Sequence, residues 1–468
     1  MRNLLLASAA ALAAIASPAL ANDHADDHAT DPWQPRSYVQ IENPEWTRDA
    51  VLYQINTRHF TPEGTFAAAE AQLPRLRDMG VDILWLMPIH PIGEVNRKGT
   101  LGSPYSVRDY YAVNPEFGTE EDFRSFMEAA HAQGFRVILD LVANHTAWDN
   151  PLAAQHPDWY EKTWDGDFRP TPWWDWSDII DLDWTQPGVR QHVGEAMEYW
   201  VREFGVDGYR ADVAGYVPVD FWETMRARLD AIRPVFMLGE VQETAFHRAS
   251  FDATYAWDWH HTSKDVAQGR GNATSFFGYY AENESLWPRE AMRMTYIENH
   301  DSNAWEGTLY ENYGDGLEAM TALAFTGEGL PLIHNGMEAC NAKRLEFFER
   351  DPIDWNQDPD CTYGDLLVDL IAFRDANPAL ENGRWGARMQ QVVTDRPQEL
   401  FAWVRQEEGN KVVGLFNFSA EPVTATLADG LAAGTYSEFR SDDAVTLAAG
   451  DTVTLPAWGF RLLSNTGD

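Results

Sequence analysis

Four short acidic motifs, each at the end of an apolar run, are the residues in this 468-residue sequence most able to do chemistry. Their key acids are Asp140, Asp212, Glu240 and Asp301. Arg210 precedes Asp212 by two positions, so on a strand both side chains share one face, where the guanidinium favours an ionised, oriented carboxylate. Such an aspartate is a candidate nucleophile. A buried salt bridge would also explain this pair alone, so the hypothesis depends on all four motifs together.

The elements that must position these acids follow a repeating pattern from Val51 onward. Short apolar runs alternate with helix-like segments, which is typical of a parallel sheet wrapped by helices. Gly80, Gly134 and Gly205 are predicted to end three of the helices, and a strand follows each glycine. About eight strands can be counted. The pattern therefore predicts an α/β fold, a (β/α)8 TIM barrel, with its chemistry at the ends of the strands.

The remaining segments predict further units around this barrel. Residues 1–21 have the arginine, apolar run and small-residue site of a secretory signal peptide, although an uncleaved membrane anchor is an alternative. After about Asn382 the helical pattern gives way to short strands typical of a β-sandwich. The predicted division is a signal peptide at 1–21, a flexible N-terminal segment at 22–45, the barrel at 46–145 and 185–381, a short inserted subdomain after strand 3 at 146–184, and a C-terminal all-β sandwich domain at 382–468.

Composition limits the partners. The formal net charge of −38 repels nucleic acid and anionic lipid and suits a neutral substrate. No stretch after the leader is apolar enough to span a bilayer. We therefore expect a secreted or periplasmic monomer that contacts neither nucleic acid nor, after signal cleavage, a membrane.

The two cysteines, Cys340 and Cys361, favour one disulfide in an exported protein, with two free thiols as the alternative.

In their order and placement, the four motifs resemble those of the alpha-amylase family of retaining glycoside hydrolases. The resemblance covers nearly all of residues 46–468. It implies that Asp212 is the nucleophile, Glu240 the general acid/base and Asp301 the stabiliser of the transition state. The chemistry agrees, because retention needs one carboxylate to attack and a second, about 5 Å away, to protonate the leaving oxygen. A third acid can stabilise positive charge on the sugar ring.

The resemblance also implies a set of substrate-binding residues. Arg210 would orient the nucleophile, while His145 and His300 would bind hydroxyls of the sugar being cleaved, with a role as core histidines as the alternative. Tyr105 resembles the aromatic platform beneath that sugar, and Asp109 follows it in the same motif.

Calcium is a further expectation taken from the resemblance. The family often binds Ca²⁺ between barrel and insert, and the matching oxygen ligands here are Asn144, Asp181 and a backbone carbonyl near Tyr216. The Lys-His pair that many alpha-amylases carry after the nucleophile is replaced by Gly215-Tyr216. Calcium binding is thus left open.

The leading hypothesis is a secreted, endo-acting hydrolase of alpha-1,4-glucosidic bonds in starch, glycogen or maltooligosaccharides. Within the family, the alternatives are an exo-acting alpha-glucosidase, a maltose-forming amylase or a glucanotransferase, since the same triad serves all of them. A non-catalytic carbohydrate-binding protein is the alternative from another class, and the intact Asp212, Glu240 and Asp301 argue against it.

Overall fold

The computed structural model of the protein describes residues 33–34, 36–356, 358–441 and 443–466. The described residues from Val39 onward form one compact unit, and those before it belong to a second. The described positions of the second unit contain no helix or strand. The predicted signal peptide at 1–21 lies outside the described residues.

Residues 39–45 correct the predicted flexible segment at 22–45, because they are fixed on the barrel. Val39 is buried, the Gln40 N–H donates to the carbonyl of Arg248 at 2.7 Å, and Asn43 Nδ2 donates to Asp252 Oδ1 at 3.0 Å. Asn43 thereby satisfies a buried carboxylate, and a buried polar group of that kind needs a partner. The sequence does not reveal this, because a polar segment that bonds to the barrel has the same composition as a mobile tail.

Eight parallel strands close into a barrel, as predicted. They are buried throughout except at Arg136, the first residue of β3, which is expected of strands covered by side chains inside and helices outside. Two further short strands, β4 and β5, pair antiparallel in the insert. The closed order is β1-β2-β3-β6-β7-β8-β9-β10. The first ten strands run in chain order as β1 Leu52–Ile55, β2 Ile83–Leu86, β3 Arg136–Leu141, β4 His145–Ala147, β5 Ile179–Asp181, β6 Gly208–Ala211, β7 Phe236–Gly239, β8 Ala253–Tyr255, β9 Met292–Tyr296 and β10 Leu330–His334.

The helices begin at residues that the sequence marks as helix starts. Thr119 and Asp122 form a reciprocal capping box at the start of α4, Pro187 begins α6, and Pro74 lies at the start of a separate helix, α3. No helix in the described part of the chain is long and apolar enough to cross a membrane. The α-helices are α1 Thr57–Phe60, α2 Phe66–Glu70, α3 Leu73–Met79, α4 Glu120–Ala132, α5 Pro151–Gln155, α6 Pro187–Phe204, α7 Val219–Asp230, α8 Trp257–Ala267, α9 Ala273–Leu286, α10 Leu309–Tyr313, α11 Leu317–Thr326 and α12 Tyr363–Asp375.

The C-terminal region is an antiparallel sandwich. A six-stranded sheet, β11-β12-β13-β18-β15-β16, faces a two-stranded sheet, β14-β17, across a core that includes Val413 and Val453. Its outer face packs on the barrel helices, with the rings of Phe276 and Phe401 at 5.6 Å, so barrel and sandwich belong to one compact unit. The strands are β11 Met389–Gln391, β12 Leu400–Glu407, β13 Asn410–Asn417, β14 Val423–Thr426, β15 Gly434–Glu438, β16 Ala444–Leu447, β17 Thr452–Leu455 and β18 Phe460–Ser464.

Cys340 and Cys361 form a disulfide, which confirms the predicted pairing. The bond joins the segment after β10 to the turn that precedes α12. It therefore fixes a loop on the same rim of the barrel as the acidic motifs.

Candidate active site

Strand register brings the acidic motifs together. Asp140 on β3 lies directly opposite Arg210 on β6, and Arg210 lies opposite Leu238 on β7. The ladder continues one residue beyond the strands, because the N–H of Asp212 donates to Leu141 and the N–H of Glu240 donates to Ala211. The acids therefore share one level at the carboxyl end of the barrel, where the chemistry of this fold is found.

A single guanidinium organises three of the carboxylates. Arg210 is completely buried, and its Nη1 donates to Asp140 Oδ1 at 2.8 Å and to Asp212 Oδ1 at 2.9 Å. Its Nη2 is 2.9 Å from Glu240 Oε2, which also accepts from the N–H of Val213 at 2.7 Å. These contacts use one oxygen of Asp212 and one of Glu240. The other oxygen of each makes no hydrogen bond within the described residues and is available to a ligand.

Burial raises the pKa of carboxyl groups in this cluster. It raises the pKa of Asp140 to about 6 and raises that of Asp212 well above its usual range, in each case against the opposing effect of Arg210. The sequence predicts that Arg210 favours the ionised form of Asp212. Arg210 does lower the pKa of this carboxyl group, but desolvation, together with the neighbouring Glu240 and Asp140, outweighs its effect.

Asp301 adds a fourth carboxyl group to the site. Its side chain is 42% exposed to the cleft, yet it lies deep enough that desolvation raises its pKa to about 7, with the Glu240 carboxylate adding to the rise. It immediately precedes a short π-helix, Ser302–Glu306, and its N–H donates to Asn299 Oδ1. That turn directs the carboxyl group into the cleft.

His300 and Tyr105 form the base of the same site. Gln54 Nε2 donates to His300 Nδ1 at 2.7 Å, so the proton of the neutral ring lies on Nε2, which is 2.7 Å from the Tyr105 hydroxyl. Tyr105 in turn donates to Asp140 Oδ2 at 3.0 Å. Burial keeps the pKa of His300 well below its ordinary value. The two rings stack 5.5 Å apart, which fixes Tyr105 as a flat surface in the cleft.

His145 also reaches the cleft. It lies at the start of β4, opposite Asp181, and burial lowers its pKa to about 4. The ring is therefore neutral at physiological pH and offers a hydrogen bond without a charge. It lines the same cavity as Asp212, and its contact with a sugar hydroxyl stays a prediction.

The cleft has two lobes that meet at Glu240. The first has a volume of about 520 Å³ and is lined by Asp212, Tyr105 and His145. The second has a volume of about 720 Å³ and is lined by the aromatic residues Tyr216 and Trp257. Both lobes are lined by Trp174, Trp176, Val213, Glu240 and Asp301.

Asp109, a predicted substrate-binding residue, lies away from the cleft. It is exposed, lies outside both lobes, and accepts a hydrogen bond from the N–H of Tyr111 at 2.8 Å. Its neighbour Tyr110 is buried, so the chain turns the carboxylate outward. The prediction of substrate binding is therefore wrong, and Asp109 closes a local turn.

The predicted calcium ligands do not fit a hard cation as arranged. Asn144 Nδ2 donates to Asp181 Oδ1 at 3.2 Å, and Thr171 donates to the same oxygen. Arg169 lies 3.5 Å from the other oxygen of Asp181. Calcium takes six to eight oxygen ligands, whereas both oxygens of Asp181 already face protein donors. Tyr216 faces the cleft and accepts a hydrogen bond from Trp174 Nε1 at 3.0 Å. No group of three or more His, Cys, Asp or Glu side chains among the described residues is arranged to hold a metal.

Several cleft residues were not predicted. Trp305 and Phe347 line the first lobe, where Phe347 stacks against Tyr105 at 6.2 Å. Lys98 lines the same lobe from the loop after β2. Trp305 follows the last acidic motif by four residues, which is a usable signal. Phe347 and Lys98 have no such signal, since each enters from a loop far along the chain.

Two family matches agree with this architecture. Residues 34–363 match the family described as alpha amylase, catalytic domain, and residues 389–462 match the maltogenic amylase C-terminal domain. The chain belongs to the alpha-amylase family of glycoside hydrolases.

Individual relatives agree with this assignment. The sequence is 31% identical over 438 residues to the alpha-amylase MalA of Haloarcula japonica, covering 88% of this chain and 63% of that protein's length. The crystal structure of an alpha-amylase from Lactobacillus plantarum has a TM-score of 0.80 at 31% identity, covering 90% of this chain and 99% of that one. The maltogenic alpha-amylase AmyB from Thermotoga neapolitana has a TM-score of 0.80 at 29% identity, covering 89% and 98%.

Proposed function

We propose that this protein hydrolyses alpha-1,4-glucosidic bonds of starch, glycogen or maltooligosaccharides by double displacement, with retention at the anomeric carbon. The observation that carries the proposal is the guanidinium of Arg210, which holds Asp212 through Nη1 and Glu240 through Nη2. Two carboxyl groups fixed on one guanidinium fit the close spacing of about 5 Å that retention requires. Each keeps a free oxygen for the reaction.

In the first step, the free oxygen of Asp212 attacks the anomeric carbon while Glu240 gives its proton to the leaving oxygen. This produces a glycosyl ester on Asp212 and releases the reducing-end part of the chain. In the second step, Glu240 removes a proton from water, the water oxygen attacks the same carbon, and the ester bond to Asp212 breaks. Asp301 stabilises the positive charge that develops on the ring in both steps.

This mechanism orients the substrate in the cleft. The sugar that is attacked must lie in the first lobe, because that lobe contains the nucleophile, Tyr105 and His145. The leaving sugar must lie in the second lobe, which is reached by Glu240 but not by Asp212. We therefore name the first lobe the glycone lobe and the second the aglycone lobe.

The mode of attack depends on the outer end of the glycone lobe. The endo action expected from the sequence needs a cleft that is open at both ends, so that a chain can pass through. An exo-acting, maltose-forming mode is the second candidate, and it is favoured by contacts between three loops at that end of the lobe. The relative AmyB, a maltogenic alpha-amylase, supports the same candidate.

Export is part of the proposal. The leader at residues 1–21 supports secretion or periplasmic location, and the disulfide between Cys340 and Cys361 is of a kind that persists in oxidising compartments. A cleft lined by tryptophan and tyrosine suits an uncharged polysaccharide in a protein with a net charge of −38.

The substitution Asp212→Asn tests the proposal. It removes the nucleophile and keeps the size of the side chain, so kcat on maltoheptaose should fall by about 10⁴-fold or more. The melting temperature should remain close to that of the wild type. Turnover by this variant within tenfold of the wild-type rate would contradict the assignment.

A further inference from the structure

The outer end of the glycone lobe is formed by three loops that come from distant parts of the chain. These are residues 94–102 after β2, residues 172–178 in the insert, and residues 343–350 after β10. Each contributes side chains to the lining of the lobe. Whether a glucan can leave the lobe in this direction depends on how these loops meet.

Lys98 joins all three loops. Its Nζ donates to the backbone carbonyl of Asp175 and lies 3.8 Å from Asp178 Oδ1, both on the insert. The same ammonium lies 5.8 Å from the centre of the Phe348 ring. The lysine side chain is only 21% exposed, so it occupies space between the loops rather than extending into solvent.

The first and third loops also meet directly beside Lys98. The N–H of Leu101 donates to the carbonyl of Phe348 at 3.2 Å, and the N–H of Thr100 donates to Glu349 Oε1 at 2.8 Å. Gly99 has a φ of 61°, and a Cβ there would lie 2.6 Å from the Cβ of Phe348. Only glycine permits this approach, so the two loops lie in direct contact at this point.

We infer that these loops form a wall across the glycone end of the cleft, and that Lys98 is a specificity-determining residue that limits how many sugars lie beyond the cleaved bond. This rests on the proposed function, because the wall has a consequence only for a glucan oriented by Asp212 and Glu240. A chain cannot continue past the wall. The non-reducing end must therefore lie inside the glycone lobe, and the enzyme releases a short product from that end.

A blocked substrate tests the wall. Maltoheptaose and the same sugar with an ethylidene acetal on its non-reducing glucose are compared, with products resolved by chromatography. The wild type should cleave the unblocked sugar and act on the blocked one at less than about a tenth of that rate, because the added group has no room in a closed lobe. Equal cleavage of both would overturn the inference and leave the proposed function intact. Cleavage of neither, by a folded protein, would overturn the proposed function.

Two substitutions test the part played by Lys98. In Lys98→Ala the ratio of blocked to unblocked cleavage should rise about tenfold, and longer products should appear early. Lys98→Met keeps most of the side chain's bulk and should give a smaller rise, and it serves as the test if the alanine variant does not fold. Lys162→Ala, on the insert that Lys98 contacts but outside the cleft, is the matched control and should keep the wild-type ratio. An unchanged ratio in both folded Lys98 variants would overturn the role of Lys98.

Discussion

The two ends of strand β6 carry charged clusters of opposite balance. At the carboxyl end, Arg210 serves Asp140, Asp212 and Glu240, so acids outnumber the cation. At the amino end, the single carboxylate of Asp207 accepts from Arg233 at 2.8 Å and from the N–H of Val137 at 2.9 Å. His131 and Arg136 add two further contacts to Asp207.

The two clusters differ in the balance of charge because the one around Asp207 stabilises the fold and the one around Arg210 serves the proposed reaction. Asp207 has a cationic or N–H partner on each oxygen, so it joins α4, β3 and the segment that follows α7. The cluster around Arg210 is under-neutralised, and burial therefore raises the pKa of Asp140 and Asp212. The carboxyl end of β6 therefore gathers the acids that the proposed reaction uses, whereas its amino end holds a carboxylate surrounded by structural partners.

The strongest test of the cluster around Arg210 is to substitute its two reacting groups, Glu240 and Asp212, one at a time. Glu240→Ala removes the proton donor, so kcat on maltooligosaccharides should fall by about 10³-fold. Maltosyl fluoride has a leaving group that needs no proton, so kcat/KM for its cleavage, which reports the first step alone and is followed with a fluoride electrode, should fall by less than about tenfold. Asp212→Asn is the control and should lose both activities. A comparable loss on both substrates in Glu240→Ala would contradict the role of Glu240.

Substitution in the cluster around Asp207 should reduce stability and leave turnover almost unchanged. Asp207→Asn leaves the arginines around a buried amide, which should lower the free energy of unfolding by about 3 kcal/mol. Denaturant unfolding measures this loss. The kcat of the folded variant should stay within about twofold of the wild type, because Asp207 lies at the other end of the strand. A large loss of kcat without a loss of stability would break the comparison.

A smaller effect should appear in the pH dependence of stability. The folded pKa of Asp301, about 7, is above its ordinary value of 3.8, so the stability that its protonation contributes is present at low pH and is lost as the pH rises through about 7. Asp301→Asn should therefore show a shallower fall in melting temperature from about pH 5 to about pH 8 than the wild type. Asp109→Asn, at an exposed acid, is the control. Parallel curves for the wild type and Asp301→Asn would contradict the raised pKa.

The features that can be predicted from the sequence depend on residues that are close together along the chain. Asp212 and Glu240 were identified because each follows a short apolar strand, and strands of a parallel barrel end at one rim. The helix cap at Thr119 and the start of α6 at Pro187 are likewise set by neighbours a few residues away.

What could not be predicted depends on contacts between distant residues. Gln54 bonds to His300 across 246 positions, and Lys98 reaches Asp175 across 77. Neither Gln54 nor Lys98 has a local signal. Asp109 was misassigned because its motif does not reveal which side of the loop faces solvent. The calcium ligands were carried over from the family, while Arg169, which lies against Asp181, could be recognised only in the folded chain.

The most direct test of the account is the anomeric form of the first product. Maltoheptaose is digested in an NMR tube, and the anomeric proton of the new reducing end is followed before mutarotation mixes the two forms. Attack by Asp212 followed by water predicts that the alpha anomer appears first, with retention of the substrate's configuration. Initial release of the beta anomer would mean direct attack by water, and it would contradict the assignment of Asp212 as nucleophile.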